Sequence, residues 1–288
     1  MHNNNVINPK EVINLCSKDL QKETKNMEPL DKYRDSLDTV YDIMSGLDKY
    51  STVEVLFYAA QMLPVLIDSP DVAVYTVANA DYARLFAATS QNARKLGNSI
   101  KYTTMNELYD QLTDGHIYIN KSGDTDLPLL AGAVYSKDEM QIILMFWGIP
   151  DEELTSRLAN RLTVIISLIQ NAILRAKLSL SSFRRRHHME GTNVLDEKSF
   201  TALVKTFLEA KEKGLTECTL LEIVMGYEDY EQISLHLACN IRQSDYMGIM
   251  EGGKLYILLS NTDATNAEVV RVRLHKLGYN SVLKETMI

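Results

Sequence analysis

An arginine and an aspartate three positions apart carry the most specific chemistry of the sequence. Arg242 and Asp245 lie in residues 241–260, ahead of the glycine pair Gly252 and Gly253. An arginine presents a planar fork of donors that pairs with phosphate or with the acceptor edge of guanine, and an aspartate accepts from the N1 and N2 donors of guanine. The two residue types therefore offer donors to an anionic group and an acceptor to a ligand N–H group.

The pattern around these two residues predicts the elements that hold them. Residues 241–260 have the pattern of a helix end, a polar turn, a strand, a tight glycine turn and a second strand. A simpler interpretation needs no ligand, because residues three apart on an exposed helix end form an ion pair worth roughly 0.2–0.5 kcal/mol. The residues alone leave both interpretations open.

The spacing resembles that of the GGDEF domain of diguanylate cyclases. In that family an RxxD motif stands at this distance before a Gly-Gly-Asp/Glu-Glu-Phe hairpin and forms an inhibitory site that binds cyclic di-GMP. The hairpin of this chain has the sequence EGGKL at residues 251–255, so the catalytic signature is degenerate while RxxD is retained. The resemblance implies that Arg242 and Asp245 bind cyclic di-GMP, a ring of two guanines and two phosphates.

The departures from that family predict a domain without catalytic activity. Cyclisation of GTP requires carboxylates that hold two metal ions against the phosphates, and hard divalent cations prefer oxygen ligands. In an ungapped comparison Lys254 replaces the metal-binding glutamate of the family, and Glu251 is displaced from that position. On the first strand of the domain at most one carboxylate, Glu222, remains. We therefore expect neither an enzyme nor a metal site.

The same resemblance implies additional arginines at the ligand. In the family a second arginine comes from the helix after the hairpin. The corresponding stretch here is AEVVRVRLHKL, in which Arg273 takes that position and Arg271 is a near alternative. Arg34 is a further candidate near the preceding domain, although an exposed side chain explains it without a ligand. The candidate ligand-binding residues are thus Arg242, Asp245, Arg273, Arg271 and Arg34.

The composition excludes several classes of protein. The chain has 30 basic and 38 acidic residues and a formal charge of −8, which argues against nucleic-acid binding because that function needs a concentrated basic face. The three cysteines, Cys16, Cys218 and Cys239, are too scattered for a disulfide framework or a zinc site. No run of about 18 apolar residues and no signal-peptide pattern occurs. We expect a cytoplasmic protein without a cofactor.

The pattern of residues 51–178 predicts an antiparallel sheet with flanking helices. The predicted elements are a helix at 53–67, strands at 71–77, 82–89, 116–120, 129–135 and 140–148, an irregular region up to residue 112, and a closing helix at 151–178. This order resembles a GAF domain. Because no cysteine lies between residues 27 and 217, a covalently attached bilin is excluded.

The predicted fold class is α+β, with two domains. We divide the chain into an N-terminal polar and helical segment at 1–35, a GAF domain at 36–178, a basic linker at 179–190 and a degenerate GGDEF domain at 191–288. Apolar residues at helical spacing from Leu37 onward predict a helix. This helix either pairs with its copy in a homodimer or packs on its own domain, and the sequence favours neither.

A GAF domain followed by a degenerate GGDEF domain with a retained RxxD motif resembles the PelD-type receptors of the Pel exopolysaccharide system. The resemblance implies a non-enzymatic bacterial receptor for cyclic di-GMP that signals to membrane-bound polysaccharide synthase components in biofilm formation. It also implies a location at the inner face of the cell membrane. A fragment of a longer chain, a separately encoded anchor and a soluble relative all stay open. The alternative function is a ligand-free scaffold that assembles the synthase complex through protein contacts.

Overall fold

The part of the chain that the structure describes is built around two antiparallel sheets. A computed structural model describes residues 52–136, 139–189, 191–224, 230–242, 244–250 and 252–284. The segment predicted at 1–35, the helix predicted from Leu37 onward and the candidate Arg34 lie outside these residues. All of the described residues belong to one compact unit.

The first sheet has six strands. Its strands and helices are α1 (Thr52–Ile67), β1 (Asp71–Val77), β2 (Ala83–Ala88), β3 (Ser99–Ile100), α2 (Asn106–Thr113), β4 (Tyr118–Ile119), β5 (Leu130–Ser136), β6 (Glu139–Trp147) and α3 (Ser156–His187). The strand order is β3-β2-β1-β6-β5-β4, and each neighbouring pair is antiparallel. The predicted antiparallel sheet with flanking helices is therefore confirmed.

Helices cover both faces of this sheet. On one face α1 and α3 pack against each other. Gly132 allows α3 to approach closely, because a methyl group at this position would overlap the side chain of Ile166. On the other face lies α2, whose Leu108 and Leu112 are buried in one cluster with Tyr75. Burial on both faces explains why the central strands are nearly continuous apolar runs.

The region predicted to be irregular up to residue 112 contains β3 and α2, so this part of the prediction is wrong. The helix α2 has eight residues and buries only Leu108 and Leu112. Its N-cap residue, Met105, makes no side-chain hydrogen bond to the first turn. The capping signal is missing and only two turns display the apolar period in so short a helix, and for that reason the sequence did not reveal it.

The closing helix α3 is displaced relative to its predicted bounds. It begins at Ser156 rather than at residue 151, because Thr155 Oγ1 accepts from the backbone N–H of Leu158 at 3.3 Å and residues 151–153 form a short 3-10 helix. It continues to His187, so most of the stretch predicted as a linker at 179–190 is helical. Neither α3 nor any other described helix is long and apolar enough to cross a lipid bilayer.

The second sheet has four strands and is preceded by a helix. Its elements are α4 (Glu197–Glu212), β7 (Cys218–Val224), α5 (Tyr230–Ala238), β8 (Tyr246–Met250), β9 (Lys254–Ser260), α6 (Ala264–Lys276) and β10 (Asn280–Lys284). The order β10-β7-β9-β8 is antiparallel throughout and gives a split βαβ topology. On one face α4 packs Phe200 onto Gly248, where a methyl group would overlap the ring. On the other face α5 and α6 complete a core.

The glycine turn predicted between β8 and β9 is present. Gly252 and Gly253 have φ angles of +75° and +83°, in the left-handed region that glycine adopts readily. The turn sets the register of the hairpin, in which Tyr246 pairs with Leu258. This register brings the residues just before β8 beside the end of β9.

An aromatic cluster joins the two sheets. The ring centroid of Phe57 in α1 lies 4.5 Å from that of Phe86 in β2 and 5.2 Å from that of Phe207 in α4. The centroid of Phe207 lies 5.8 Å from that of Tyr246 in β8. Aromatic pairs at these distances stabilise a contact beyond the area they bury. The two sheets therefore meet through packed side chains, and this contact forms one wall of the site described next.

Candidate functional site

Asp245 fastens the turn between α5 and β8 to the end of β9. Its Oδ2 accepts from the backbone N–H of Arg242 at 3.0 Å, and its Oδ1 accepts from the backbone N–H of Ser260 at 3.1 Å. The N–H of Asp245 donates in turn to the carbonyl of Arg242 at 2.9 Å. The aspartate thus closes the turn and holds Arg242 at a fixed place beside β9.

The Asp245 carboxyl group is buried, with 9% of the residue exposed. Burial raises its pKa, and the hydrogen bonds from the N–H groups of Arg242 and Ser260 oppose that rise. The positive charges of Arg242 and Arg273 also act to lower the pKa. Both carboxylate oxygens already accept backbone donors, so the contact with guanine that the sequence predicted would use only the remaining acceptor capacity.

The Arg242 side chain is exposed and pairs with no carboxylate among the described residues. Its Nη1 lies 3.4 Å from Thr262 Oγ1, and that hydroxyl donates to the carbonyl of Ser260 at 2.9 Å. An ion pair between the Arg242 and Asp245 side chains, which would explain the motif without a ligand, is not formed in the described part of the chain. Most of the guanidinium donors of Arg242 are therefore free to bind a ligand.

A cleft of about 430 Å³ lies beside Arg242, where the two sheets meet. Its lining residues are Val53, Leu56, Thr76, Val77, Ala78, Asn79, Arg84, Phe86, Gln141, Ile142, Ile173, Arg242, Ser244 and Tyr246. None of these described residues is acidic, and both of the charged ones are arginines. The cleft therefore combines apolar walls with positive charge, which suits an anionic ligand that also carries flat rings.

Arg84 is a residue of the cleft that the sequence did not indicate. It lies in β2, opposite Thr76 of β1, and is half-buried. Its backbone carbonyl accepts from Thr76 Oγ1 at 3.4 Å, while its guanidinium has no partner among the described residues. The available signal was a single charge in the otherwise small and apolar strand ARLFAA. That signal does not reveal which distant residues the side chain faces.

The uncharged polar residues that line the cleft are Thr76, Asn79, Gln141, Ser244 and Tyr246. Burial raises the pKa of Tyr246 to about 12, and the negative charge of Asp245 contributes to the rise. The phenol therefore stays protonated at neutral pH. It is therefore a neutral hydrogen-bond donor and acceptor.

Neither of the other predicted arginines that the structure describes lines the cleft. Arg271 donates from Nη1 to Glu268 Oε2 at 2.7 Å and from Nε to the carbonyl of Ser281 at 3.2 Å, so its guanidinium is held within the second sheet and α6. Arg273 is exposed and near enough to Asp245 to influence its pKa, but it does not line the cleft. Arg34 lies outside the described residues.

Glu222 is held by two lysines on the same face of the second sheet. Its Oε1 lies 3.1 Å from Lys254 Nζ, and its Oε2 lies 2.8 Å from Lys284 Nζ. The hydrogen bond from Lys284, together with that from Lys254, lowers the pKa of the Glu222 carboxyl against the opposing effect of burial. We call these three residues the Glu222 cluster. It places two ammonium groups on one carboxylate, a set of groups that repels a divalent metal ion.

Comparisons with known proteins give similarities of fold only. The sequence matches no protein-family model, and no curated protein sequence is significantly similar to it. The chain is similar to the structure of PelD from Pseudomonas aeruginosa PAO1, at 11% identity and a TM-score of 0.39 over 85% of this chain and 90% of that one. PelD from strain PA14, solved in complex with c-di-GMP, is 13% identical, with a TM-score of 0.38 over 84% and 88%. Similarities this distant carry no argument about the ligand of this chain.

Proposed function

We propose that the chain is a non-enzymatic receptor for cyclic di-GMP. The observation that carries the proposal is the cleft beside the RxxD turn, where Arg242 and Arg84 lie without a described carboxylate partner. Cyclic di-GMP has two phosphates that guanidinium groups bind through paired, charge-assisted hydrogen bonds. Its guanine rings offer flat apolar faces that suit walls formed by residues such as Phe86 and Ile142.

In this proposal Arg242 contacts the ligand and Asp245 positions Arg242. The carboxylate uses both of its oxygens to hold the turn, and among the described residues the neighbouring guanidinium therefore has no direct ion pair. An anion supplies such a partner when it binds. A local excess of positive charge is unusual in a chain whose formal charge is −8, which supports a specific anionic ligand at this place.

The proposed output is control of a membrane-bound polysaccharide synthase of the Pel type. It is supported by the order of the two sequence resemblances, a GAF domain followed by a degenerate GGDEF domain. A receptor of this kind needs no turnover, because binding energy alone shifts a conformational or assembly equilibrium. The competing function is a scaffold that binds no ligand and acts through protein contacts only.

Calorimetry with cyclic di-GMP tests the receptor against the scaffold. We expect saturable binding to the wild type and a loss of affinity of about tenfold to hundredfold in Arg242→Ala, since hydrogen bonds to charged groups are worth about 1.5–3 kcal/mol. Arg157→Ala is the matched control, because Arg157 is an exposed arginine that does not line the cleft. Titration of the wild type without heat contradicts the receptor and supports the scaffold.

Incubation with GTP and magnesium tests the absence of catalysis. We expect no cyclic di-GMP to form, because Glu222 is occupied by the ammonium groups of Lys254 and Lys284. Chromatography of the nucleotides after incubation is the measurement. Appearance of the cyclic product would refute the non-enzymatic part of the proposal and leave the ligand site itself untouched.

A further inference from the structure

We infer that Arg84 is a second anion-binding residue of the cleft, so that a bound cyclic dinucleotide is held by both sheets at once. The inference rests on the proposed function and deepens it. It assigns the second guanidinium to the first sheet, whereas the sequence resemblance placed it on α6. The ligand class is a dianion whose two charged groups are reached from opposite sides of the cleft.

No carboxylate of the described residues compensates the charge of Arg84. The residue is half-buried in β2, between its neighbours Thr76 in β1 and Ser99 in β3. A partly buried guanidinium loses hydration, and this loss is normally offset by a carboxylate partner. Among the described residues no such partner is present, although the chain has 38 acidic residues from which one could have come. An external anion offsets the loss instead.

The alternative cations on α6 fit this role less well. Arg271 is already bonded to Glu268 and to the carbonyl of Ser281. Arg273 is exposed and lies outside the lining of the cleft. Arg84 and Arg242 share the cleft, and a ligand in it therefore meets one arginine from each sheet.

This placement gives the ligand a mechanical role. Arg84 is two residues from Phe86, and Arg242 is four residues from Tyr246, and both of these aromatic residues belong to the cluster that joins the sheets. A dianion bound by both arginines would add an ionic contact between the sheets to the existing aromatic contact. Binding is therefore expected to strengthen the existing contact between the sheets, and a receptor could use this effect to change how it meets a partner.

Calorimetry on the full chain tests the assignment through matched variants. We expect Arg84→Ala to lower the affinity for cyclic di-GMP by about tenfold to hundredfold. Arg84→Lys, which keeps the charge but loses the planar fork, is expected to fall between Arg84→Ala and the wild type. Arg157→Ala removes the same charge from an exposed place away from the cleft and is expected to bind as the wild type does.

Arginine modification of the wild type gives a second readout that no mutation disturbs. Phenylglyoxal labelling followed by peptide mass spectrometry is expected to show protection of both Arg84 and Arg242 by cyclic di-GMP, and no protection of Arg157. Protection of Arg242 alone, with wild-type affinity in Arg84→Ala, overturns this inference and leaves the receptor proposal standing. Absence of both heat and protection in the wild type removes the receptor proposal, and this inference with it.

Discussion

Two polar regions of the second sheet differ in whether their positively charged side chains pair with a carboxylate. In the Glu222 cluster, Lys254 and Lys284 both pair with the carboxylate of Glu222 at 3.1 and 2.8 Å. In the turn before β8, the carboxylate of Asp245 accepts from backbone N–H groups, and the guanidinium of Arg242 pairs with no carboxylate in the described part of the chain. Each region contains a carboxylate near positively charged side chains. The Glu222 carboxylate accepts hydrogen bonds from those side chains, whereas the Asp245 carboxylate accepts them from the backbone.

The comparison shows that charged residues of the types that bind ligands can instead bond only to other residues of the protein. The Glu222 cluster carries one net positive charge, but the carboxylate engages both ammonium groups across three strands, so the cluster offers little to a metal ion. In the turn the Asp245 carboxylate bonds backbone N–H groups rather than the guanidinium, and Arg242 lines the cleft. The available charge for a ligand is therefore set by hydrogen-bond partners and not by the number of lysines and arginines nearby.

The largest expected effect that tests this comparison comes from Asp245→Ala. The substitution leaves the N–H of Ser260 without its acceptor at a buried residue, and it releases the turn that holds Arg242. We expect a loss of about 2 kcal/mol in the free energy of unfolding, as for other unsatisfied buried groups. Affinity for cyclic di-GMP should also fall by about tenfold. Urea denaturation and calorimetry are the two measurements.

Asp245→Asn separates positioning from direct contact. The amide keeps one oxygen acceptor but turns an NH₂ group toward the second backbone N–H, so we expect stability and affinity to fall together by an intermediate amount. If affinity falls while the urea midpoint stays at the wild-type value, Asp245 contacts the ligand itself. Asp245 would then not serve mainly to hold the turn, and the comparison with Glu222 would fail.

The turn that presents Arg242 was predictable because its signals are local. The RxxD spacing, the glycine pair and the flanking apolar runs all lie within residues 241–260, and the structure contains the turn, the two strands and the glycine hairpin that they predict. The α+β class followed from periodicity in the same way. Local signals fix elements well whenever the turn chemistry and the apolar pattern agree.

The partners across the cleft were not predictable, because they depend on contacts between distant elements. Arg84 lines a cleft that forms where Phe57, Phe86 and Phe207 pack β2, α1 and α4 together. Likewise, the sequence identified Glu222 and Lys254 but not Lys284. The pairing requires the register of β7 with β9 and β10.

The role of Asp245 shows a different limit of sequence analysis. The sequence placed this carboxylate against guanine, whereas the structure gives both of its oxygens to backbone N–H groups. Aspartate bonds its own backbone readily in turns, where the spacing of three residues is as favourable for the chain as for a ligand. The same motif therefore fits both roles until the hydrogen bonds are known.

A smaller effect is expected from Glu222→Gln, which tests the other side of the comparison. The amide removes the counter-charge of Lys254 and Lys284 while it keeps the shape of the side chain. We expect a loss of about 1 kcal/mol in the free energy of unfolding, since Glu222 is mostly buried and its two ion pairs share one carboxylate. The affinity for cyclic di-GMP should stay within about twofold of the wild type.

The control for that substitution is Glu209→Gln. Glu209 pairs with Lys205 at 3.9 Å on the exposed surface of α4, where side-chain exposures of 69% and 56% predict an effect near zero. A tenfold change of ligand affinity in Glu222→Gln, with Glu209→Gln unchanged, would link the Glu222 cluster to the cleft. The two regions would then not be independent.

The smallest expected effect is a difference in the sign of the pH dependence. The lysines hold the pKa of Glu222 below its ordinary value, so its contribution to stability is present above about pH 4.3 and is lost as the pH falls through the lower folded pKa. Burial raises the pKa of Asp245 above the unfolded value of about 3.9, so its contribution is present below that pH and is lost as the pH rises through the folded pKa. We therefore expect the two variants to differ from the wild type in opposite ways as the pH falls. In acid, the free energy of unfolding of the wild type should fall relative to that of Glu222→Gln and rise relative to that of Asp245→Asn. Denaturation measured at several pH values is the test. If both differences move in the same direction, the hydrogen bonds to Asp245 outweigh its burial as those to Glu222 do, and the distinction between a closed cluster and an open site fails.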